Sequence, residues 1–177
     1  MKLIFAFCLS IVIIGCGSDV IVQPPVKDNS VEINRSKKEQ KEHSKSFVEY
    51  ENKAIDTLVS IKQWDMIKTK SGLRHTPLSE ECITQFPKRG DLLDIEIEIQ
   101  DIYENTIFPL QPQTVHFRRD YTVNGLVEAL SKMCIGSKAK LILPSHLAYG
   151  FRGYEKDIKP NQVLIYNVEL INKKSIK

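Results

Sequence analysis

Side chains that often carry catalysis are present in this chain, but their spacing favours neither a metal site nor acid-base chemistry. Glu96 and Glu98 form a pair of carboxylates that alternates with isoleucines, which places the pair on the solvent side of a predicted strand. No HExxH or other metal-ligand spacing connects the four histidines, which are His43, His75, His116 and His146. We therefore expect no metal site and no cofactor.

The residue types that favour binding are concentrated between positions 124 and 153. This stretch combines a short apolar helix pattern, a turn, a strand, and a loop rich in proline and glycine that carries Tyr149 and Phe151. Concave sites with mostly apolar walls and a few polar groups are the usual form of a small-molecule or peptide pocket. The stretch therefore predicts a binding cup.

The elements that must position this cup are predicted from hydrophobic periodicity. Positions 93–100 and 163–170 alternate between apolar and polar residues, which is typical of antiparallel strands with one wet face. Residues 102–113 are predicted to be irregular because two prolines limit ladder hydrogen bonds. Leu126, Leu130 and Met133 recur at helical steps. The predicted class is α+β, with a curved antiparallel sheet of five to six strands wrapped around one short α-helix.

The N-terminus has the pattern of a bacterial export signal. Lys2 precedes an apolar run at 3–14 that is too short to span a bilayer, and IGCG follows at 14–17. This tetrapeptide resembles the bacterial lipobox, which implies a signal peptide at 1–15 and a lipid anchor on Cys16. The expected location is the bacterial cell envelope. Gly17 rather than Asp after the cysteine favours the outer membrane, with the domain facing the periplasm.

Residues 16–45 are predicted to be a lipidated cysteine followed by a flexible tether, because they are polar and lack an apolar face. An amphipathic helix follows at 46–61, with Ser46 as its N-cap and a connecting strand up to residue 70. The helix is expected to dock on the main domain or on a second copy, which would give a homodimer. Its predicted apolar stripe comprises Phe47, Tyr50, Ala54, Leu58 and Ile61.

Charge and cysteine usage narrow the possible partners. The net charge of +3 is small and evenly spread, so a nucleic-acid partner is not expected. Cys82 and Cys134 remain in the mature domain, where an envelope location permits disulfides. Spacing alone leaves open whether these two cysteines pair or remain free thiols.

Three segments together resemble the FKBP-type peptidyl-prolyl cis–trans isomerases. They are PKRGD at 87–91, GLVEALSKMCIGSKAKLILPSHLAYGFRG at 125–153, and IKPNQVLIYNVELI at 158–171. The resemblance implies an FKBP-like domain over 71–173. The lipobox and the charged segment that precedes the domain are similar to those of the FKBP-like lipoproteins of Bacteroidetes.

The resemblance also implies the site residues. Tyr149 matches the tyrosine whose hydroxyl binds a ligand carbonyl, and it is the expected catalytic residue. Leu126 takes the place of a tryptophan floor, Ile97 that of a second tyrosine, and 107–110 lacks the usual aspartate. The expected substrate-binding residues are Ile97, Phe108, Phe117, Val123, Leu126, Tyr154, Ile158 and Tyr166.

Two functions follow from this resemblance. The first is an enzyme that isomerises X–Pro bonds of proline-containing clients and so assists the folding of exported proteins. The second is a non-catalytic module that grips proline-containing or apolar segments. Tyr149 and the intact loop favour the first function, whereas the missing aspartate and tryptophan favour the second.

Overall fold

The computed structural model describes residues 29–78, 86–120 and 122–174, and the side chains of the first helix from Lys38 onward. These residues contain two helices, α1 and α2, six strands, β1 to β6, and two short 3₁₀ turns at Ser145–Leu147 and Gly150–Arg152. In chain order the helices and strands are α1 Asn29–Lys62, β1 Ile67–Lys68, β2 Arg74–His75, β3 Leu92–Gln100, β4 Thr106–His116, α2 Asn124–Leu130, β5 Lys138–Leu143 and β6 Leu164–Lys174.

The six strands form one antiparallel sheet in the order β1-β2-β5-β6-β3-β4. Within β3, the residues at 93, 95, 97 and 99 are buried, while the intervening polar residues are partly exposed. The period-two pattern therefore sets which face of the strand meets the core. The predicted α+β class, with a sheet of five to six strands and a short helix, is confirmed.

Helix α2 packs on the inner face of the sheet and completes the main core. Leu126, Ala129 and Leu130 are buried there with the inner residues of β3, β5 and β6. Gly125 permits the close approach, since a Cβ at this position would lie 2.7 Å from the Cγ atom of Leu143. The helix ends at Leu130, before Met133, and so is shorter than the pattern suggests.

The C-terminal part of α1 packs on the outer face of the same sheet. From Glu39 onward, α1 belongs to the same compact unit as the sheet. Ile55 is fully buried beside Ile142 of β5 and Ile165 of β6. The sheet is therefore covered on both faces, by α2 inside and by α1 outside.

The structure corrects the predicted bounds of this first helix. It begins at Asn29 rather than Ser46, so residues 29–45, which were expected to be a flexible tether, are helical. Ser46 lies inside the helix, where its hydroxyl donates to the carbonyl of His43 over 2.9 Å. The Lys, Glu and Gln residues that dominate this segment have high intrinsic helix propensity, so no apolar face was needed. Residues 16–28 lie outside the described residues.

The predicted stripe of α1 is also not the face that docks. Tyr50 and Ile61 are 73% and 74% exposed, whereas Ile55 has no exposed surface. Apolar residues at three- and four-residue steps fit two adjacent stripes of this helix, and the sheet selects the stripe that contains Ile55 and Val59. Periodicity located the helix but could not identify its buried side.

Strand β4 forms where an irregular segment was expected. It is an edge strand beside β3, and its register with β3 shifts between Ile97 and Ile99. Pro109 lies within this shift, while Pro112 is opposite Glu96. A sheet tolerates proline at an edge or a bulge, where the missing N–H costs no ladder bond. The expectation of irregular structure was therefore wrong for residues 106–113.

Cys134 is disulfide-bonded, which excludes a free thiol at this position. The other cysteines of the chain, Cys8, Cys16 and Cys82, all lie outside the described residues. Within the described part of the chain, neither helix has the length and hydrophobicity that a bilayer span requires.

Candidate active site

Eight of the nine predicted site residues belong to the main core cluster or pack against it, and Tyr154 joins them through ring contacts with Phe108 and Tyr149. Five of them are buried within that core and form what we call the floor: Ile97, Phe117, Leu126, Ile158 and Tyr166. The other four are partly buried or exposed around it and form what we call the rim: Phe108, Val123, Tyr149 and Tyr154. Their roles toward a ligand remain predictions.

The floor is built by strands and by the start of α2. Tyr166 lies in β6, opposite Ile99 of β3, and is only 1% exposed. Leu126 is 5% exposed in the first turn of α2. Such close packing produces a rigid apolar base with little room for water.

Val123 places a backbone group at the rim. It precedes α2 in an extended conformation, and its carbonyl accepts hydrogen bonds from the N–H groups of Leu126 and Val127 over 3.1 and 3.2 Å. The segment before it includes Tyr121, which lies outside the described residues. A backbone N–H at the position of Val123 suits a ligand carbonyl, as the resemblance implies.

The loop between β5 and β6 carries Tyr149 in a constrained turn. Pro144 ends β5, and its carbonyl accepts from the N–H of Leu147 over 2.9 Å. The N–H of Ala148 then donates to the carbonyl of Ser145 over 3.0 Å. These two bonds define a single 3₁₀ turn, and Tyr149 follows directly.

A second constraint closes the far end of the same loop. Tyr154 and Ile158 exchange backbone hydrogen bonds of 2.9 and 3.1 Å. Gly153 adopts φ +67°, and a Cβ there would lie 2.2 Å from the carbonyl oxygen of Ile158. Only glycine combines this backbone conformation with this close approach.

Three aromatic rings follow one another along the rim. The ring centroids of Tyr149 and Tyr154 are 5.0 Å apart, with planes inclined by 36°. Phe108 of β4 meets Tyr154 edge-on, with centroids 6.4 Å apart. Aromatic pairs at such separations stabilise each other beyond simple burial. Tyr154 stays 43% exposed and offers its surface to solvent or to a ligand.

The phenols of Tyr149 and Tyr166 are near enough for each to shift the pKa of the other. Burial raises the pKa of Tyr166 far above its usual range, and the adjacent Tyr149 raises it further. Burial likewise raises the pKa of Tyr149, and the interaction with the Tyr166 hydroxyl opposes this shift. Both groups are therefore neutral at physiological pH. If Tyr166 donates, the proton of Tyr149 stays free for a carbonyl oxygen.

The described residues outside this site offer little competing chemistry. They contain no group of three or more His, Cys, Asp or Glu side chains arranged to hold a metal. One surface groove of about 670 Å³ runs along α1 and includes Glu49 and Lys68. Another of about 430 Å³ includes Lys140 and Asn167 on the outer face of the sheet. Neither groove includes Tyr149, and both are lined in part by charged side chains of both signs.

Comparison with known proteins identifies the family. The profile described as FKBP-type peptidyl-prolyl cis-trans isomerase matches residues 84–171. FK506-binding protein 1 of Kluyveromyces lactis is 33% identical over 98 residues, which cover 53% of this chain and 86% of that protein. This chain belongs to the FKBP-type isomerase family. Its enzyme class is peptidyl-prolyl cis-trans isomerase.

Two further comparisons agree with this FKBP assignment. FK506-binding protein 2 of Yarrowia lipolytica is 29% identical over 111 residues, which cover 60% of this chain and 76% of that protein. The crystal structure of FkpA from Escherichia coli superposes with a TM-score of 0.59 at 23% identity, covering 85% of this chain and 74% of that one. The structural likeness supports the FKBP fold.

Sequence reasoning missed two features of this FKBP site. It treated Tyr166 as an apolar wall residue, whereas the Tyr166 hydroxyl is near enough to Tyr149 to affect its pKa. A partial indication was present in the sequence, which has no acidic residue near Phe108 to act as a partner of Tyr149. Reasoning from sequence also missed a contact between Glu51 of α1 and Ser145, because these residues are 94 positions apart.

Proposed function

We propose that this FKBP uses the floor and rim around Tyr149 to twist X–Pro bonds in proline-containing polypeptides. The observation that carries the proposal is the position of a neutral phenol donor, Tyr149, at the edge of a closely packed apolar floor. This arrangement matches a reaction that breaks no covalent bond and needs no nucleophile.

Catalysis of this reaction requires the site to bind the twisted amide more tightly than the planar amide. The rotation barrier is about 18–20 kcal/mol, because the planar amide is stabilised by resonance. Charge separation in the planar form is stabilised by water, whereas the twisted form carries less charge separation. An apolar site that excludes water therefore favours the twisted state, and each 1.36 kcal/mol of such preference accelerates the reaction about tenfold.

Each part of the site has a distinct role in this account. The floor receives the proline ring and excludes water from it. The phenol of Tyr149 donates to a substrate carbonyl, and the N–H of Val123 offers a second donor. The exposed ring of Tyr154 contacts the residues that flank the proline. Together these contacts hold the peptide while the X–Pro bond rotates.

An isomerisation assay tests the proposal. The chain lacking residues 1–16 is mixed at micromolar concentration with a short peptide in which a hydrophobic residue precedes proline. We expect the cis-to-trans rate to rise above the uncatalysed rate in proportion to protein concentration. A rate equal to background, combined with measurable peptide binding, would refute turnover.

Peptide binding without acceleration would indicate the second candidate function, a binding module that grips proline-containing or apolar segments. It is favoured by the segment at 107–110, which has no acid beside Phe108, and by a leucine at position 126. Both differences from the usual family pattern make the site more apolar. The assay separates the two functions, because binding with no acceleration supports only the module.

We also propose that the enzyme is a lipoprotein of the bacterial envelope, similar to the Bacteroidetes subgroup, where it assists exported proteins. Support comes from the apolar run at 3–14 followed by IGCG at 14–17. Labelling with a clickable fatty acid should mark the wild-type protein but not Cys16→Ala. Equal labelling of both would exclude the anchor. Fractionation of outer and inner membranes then tests the outer-membrane location and the periplasmic orientation.

The homodimer through residues 46–61 remains a proposal as well. The stripe that contains Tyr50, Ala54 and Ile61 stays exposed after α1 has docked on the sheet, which leaves an apolar surface for a second copy. Because this helix also covers the sheet, point changes are better probes than its deletion. Sedimentation of Tyr50→Lys/Ile61→Lys beside wild type should show a dimer only for wild type. Two monomers would contradict the proposal.

A further inference from the structure

Glu51 on α1 is a buried carboxylate that the proposed reaction does not use directly. It is 4% exposed, and its Oε2 atom accepts a hydrogen bond from the hydroxyl of Ser145 over 3.0 Å. Its Oε1 atom is the one buried side-chain oxygen or nitrogen in the described part of the chain without a partner. Burying a carboxylate with an unsatisfied oxygen is unfavourable for folding, so stability does not account for this residue.

Ser145 connects Glu51 to the loop that carries Tyr149. It is 3% exposed and opens the 3₁₀ turn in which the N–H of Ala148 donates to its carbonyl over 3.0 Å. The side chain of Ser145 is held by Glu51, and its backbone holds the residue before Tyr149. The path from the helix to the rim therefore contains two hydrogen bonds and one residue.

The helix that presents Glu51 is itself firmly fixed on the sheet. Ile55, one turn further along, is fully buried on the outer face. Arg74 of β2, which is 1% exposed, donates to the side chains of Asn52 and Asp56 and to the carbonyl of Asn52. These contacts lie within five residues on the C-terminal side of Glu51, so its carboxylate has little freedom to follow a moving loop.

A neighbouring contact connects the same turn to the turn between β1 and β2. His146 lies 3.0 Å through its Nε2 atom from the carbonyl oxygen of Ser71, and the hydroxyl of Ser71 donates to Glu128 of α2 over 2.6 Å. The turn at 145–147 is thus connected to α1, to the β1–β2 turn and to α2. Among these links, Glu51 supplies the only charged acceptor that the Ser145 hydroxyl meets within the described residues.

We propose that Glu51 is a positioning residue for isomerisation: anchored on α1, its carboxylate fixes the Ser145 turn and so sets where the hydroxyl of Tyr149 meets the substrate. This inference rests on the proposed isomerase function. It assigns to α1 a role in the reaction, although no residue of that helix belongs to the floor or the rim. Glu51 acts only through Ser145.

Turnover of matched variants of the full chain, solubilised in mild detergent, is the first test. Glu51→Ala removes the acceptor, Glu51→Gln keeps an acceptor oxygen, and Ser145→Ala removes the donor. Loss of one such hydrogen bond should lower kcat by about three- to tenfold with little change in KM. We expect Glu51→Gln to recover most of this loss. Glu49→Ala, an exposed carboxylate change on the same helix, should match wild type.

The double variant Glu51→Ala/Ser145→Ala distinguishes this path from two unrelated effects. Because both residues act through one contact, the double variant should be no slower than the slower single variant. Multiplied losses would overturn the proposal. So would wild-type kcat in both single variants, even if their resistance to urea had fallen, because that result describes a purely structural contact.

Amide hydrogen exchange tests the positioning role of Glu51 without measuring turnover. Leu147 and Ala148 donate the two bonds that define the turn, so their exchange should accelerate in Glu51→Ala and Ser145→Ala but not in Glu49→Ala. Unchanged exchange would refute the positioning role even if the wild type turned out to be only a binding module. Conversely, inactive wild type with accelerated exchange in the variants would refute the isomerase function and keep Glu51 as the residue that orders the loop.

Discussion

Replacing Tyr149 with phenylalanine removes one hydroxyl and tests both the reaction and the packing of the site. The ring contact with Tyr154, with centroids 5.0 Å apart, is retained. What is lost is the donor to the substrate carbonyl and the partner of the Tyr166 hydroxyl. The first loss is measured as a fall in activity and the second as a fall in stability, so one substitution tests both.

The effect on activity follows from one hydrogen bond. A net contribution of about 0.5–1.5 kcal/mol in the transition state corresponds to a two- to twelvefold fall in kcat/KM. Tyr154→Phe is the matched control, since it removes a phenol from the neighbouring ring and keeps both aromatic contacts. The isomerisation assay should therefore show a clear loss for Tyr149→Phe and little change for Tyr154→Phe.

The effect on stability is asymmetric because the two phenols differ in exposure. We predict that the two neighbouring hydroxyls interact; since Tyr166 is 1% exposed, Tyr149→Phe should then leave a buried hydroxyl without a partner, at a cost of about 1–3 kcal/mol. Tyr149 is only partly buried, and after Tyr166→Phe its hydroxyl can turn to water, so that change should cost about 1 kcal/mol or less.

A double-mutant cycle measured by urea unfolding tests whether the hydroxyls of Tyr149 and Tyr166 interact. Tyr149→Phe/Tyr166→Phe removes both partners, and it should be at least as stable as Tyr149→Phe alone. The reasoning is refuted if the two single costs simply add, since additivity would mean that the hydroxyls do not interact. Equal loss of kcat/KM in Tyr149→Phe and Tyr154→Phe would refute the catalytic part separately.

Three further predictions concern the frame of the site. Gly125→Ala should destabilise the fold by about 1–3 kcal/mol in urea unfolding, because the new Cβ would lie 2.7 Å from Leu143, and a cost near zero would contradict the close packing of α2. Arg74→Lys should cost about 1–3 kcal/mol, since lysine cannot reproduce the planar fork that binds Asn52 and Asp56, whereas exposed Lys53→Arg should be neutral in the same assay. Burial raises the pKa of Glu51 above its usual value, and the contacts with Ser145 oppose this shift only in part. The raised pKa disfavours the ionised form in the folded state, so this group lowers stability as pH rises from acidic to neutral. Glu51→Gln should therefore be more stable than wild type at pH 7, with a gap that narrows near pH 4, and a gap independent of pH would count against this sign.

Local pattern was sufficient for much of the architecture. Alternation between 93 and 99 correctly predicted the buried face of β3, because strand geometry places every second side chain on one side. The motifs at 87–91, 125–153 and 158–171 indicated the FKBP family, which the family profile over residues 84–171 confirms. These features depend on neighbours in the chain or on spacing within one element, which a sequence displays directly.

Tertiary structure alone decided the features that depend on distant partners. Two adjacent stripes of α1 fit the helical period, and only the sheet determined that Ile55 rather than Tyr50 is buried. The prolines of β4 are compatible with a strand because β4 lies at the edge of the sheet. The Tyr149–Tyr166 phenol pair and the Glu51–Ser145 contact join residues that no local spacing relates. The sequence by itself determined the family and the alternating strand β3, whereas packing determined the buried face of α1 and which distant polar groups meet, because hydrogen-bond partners are set by proximity in space.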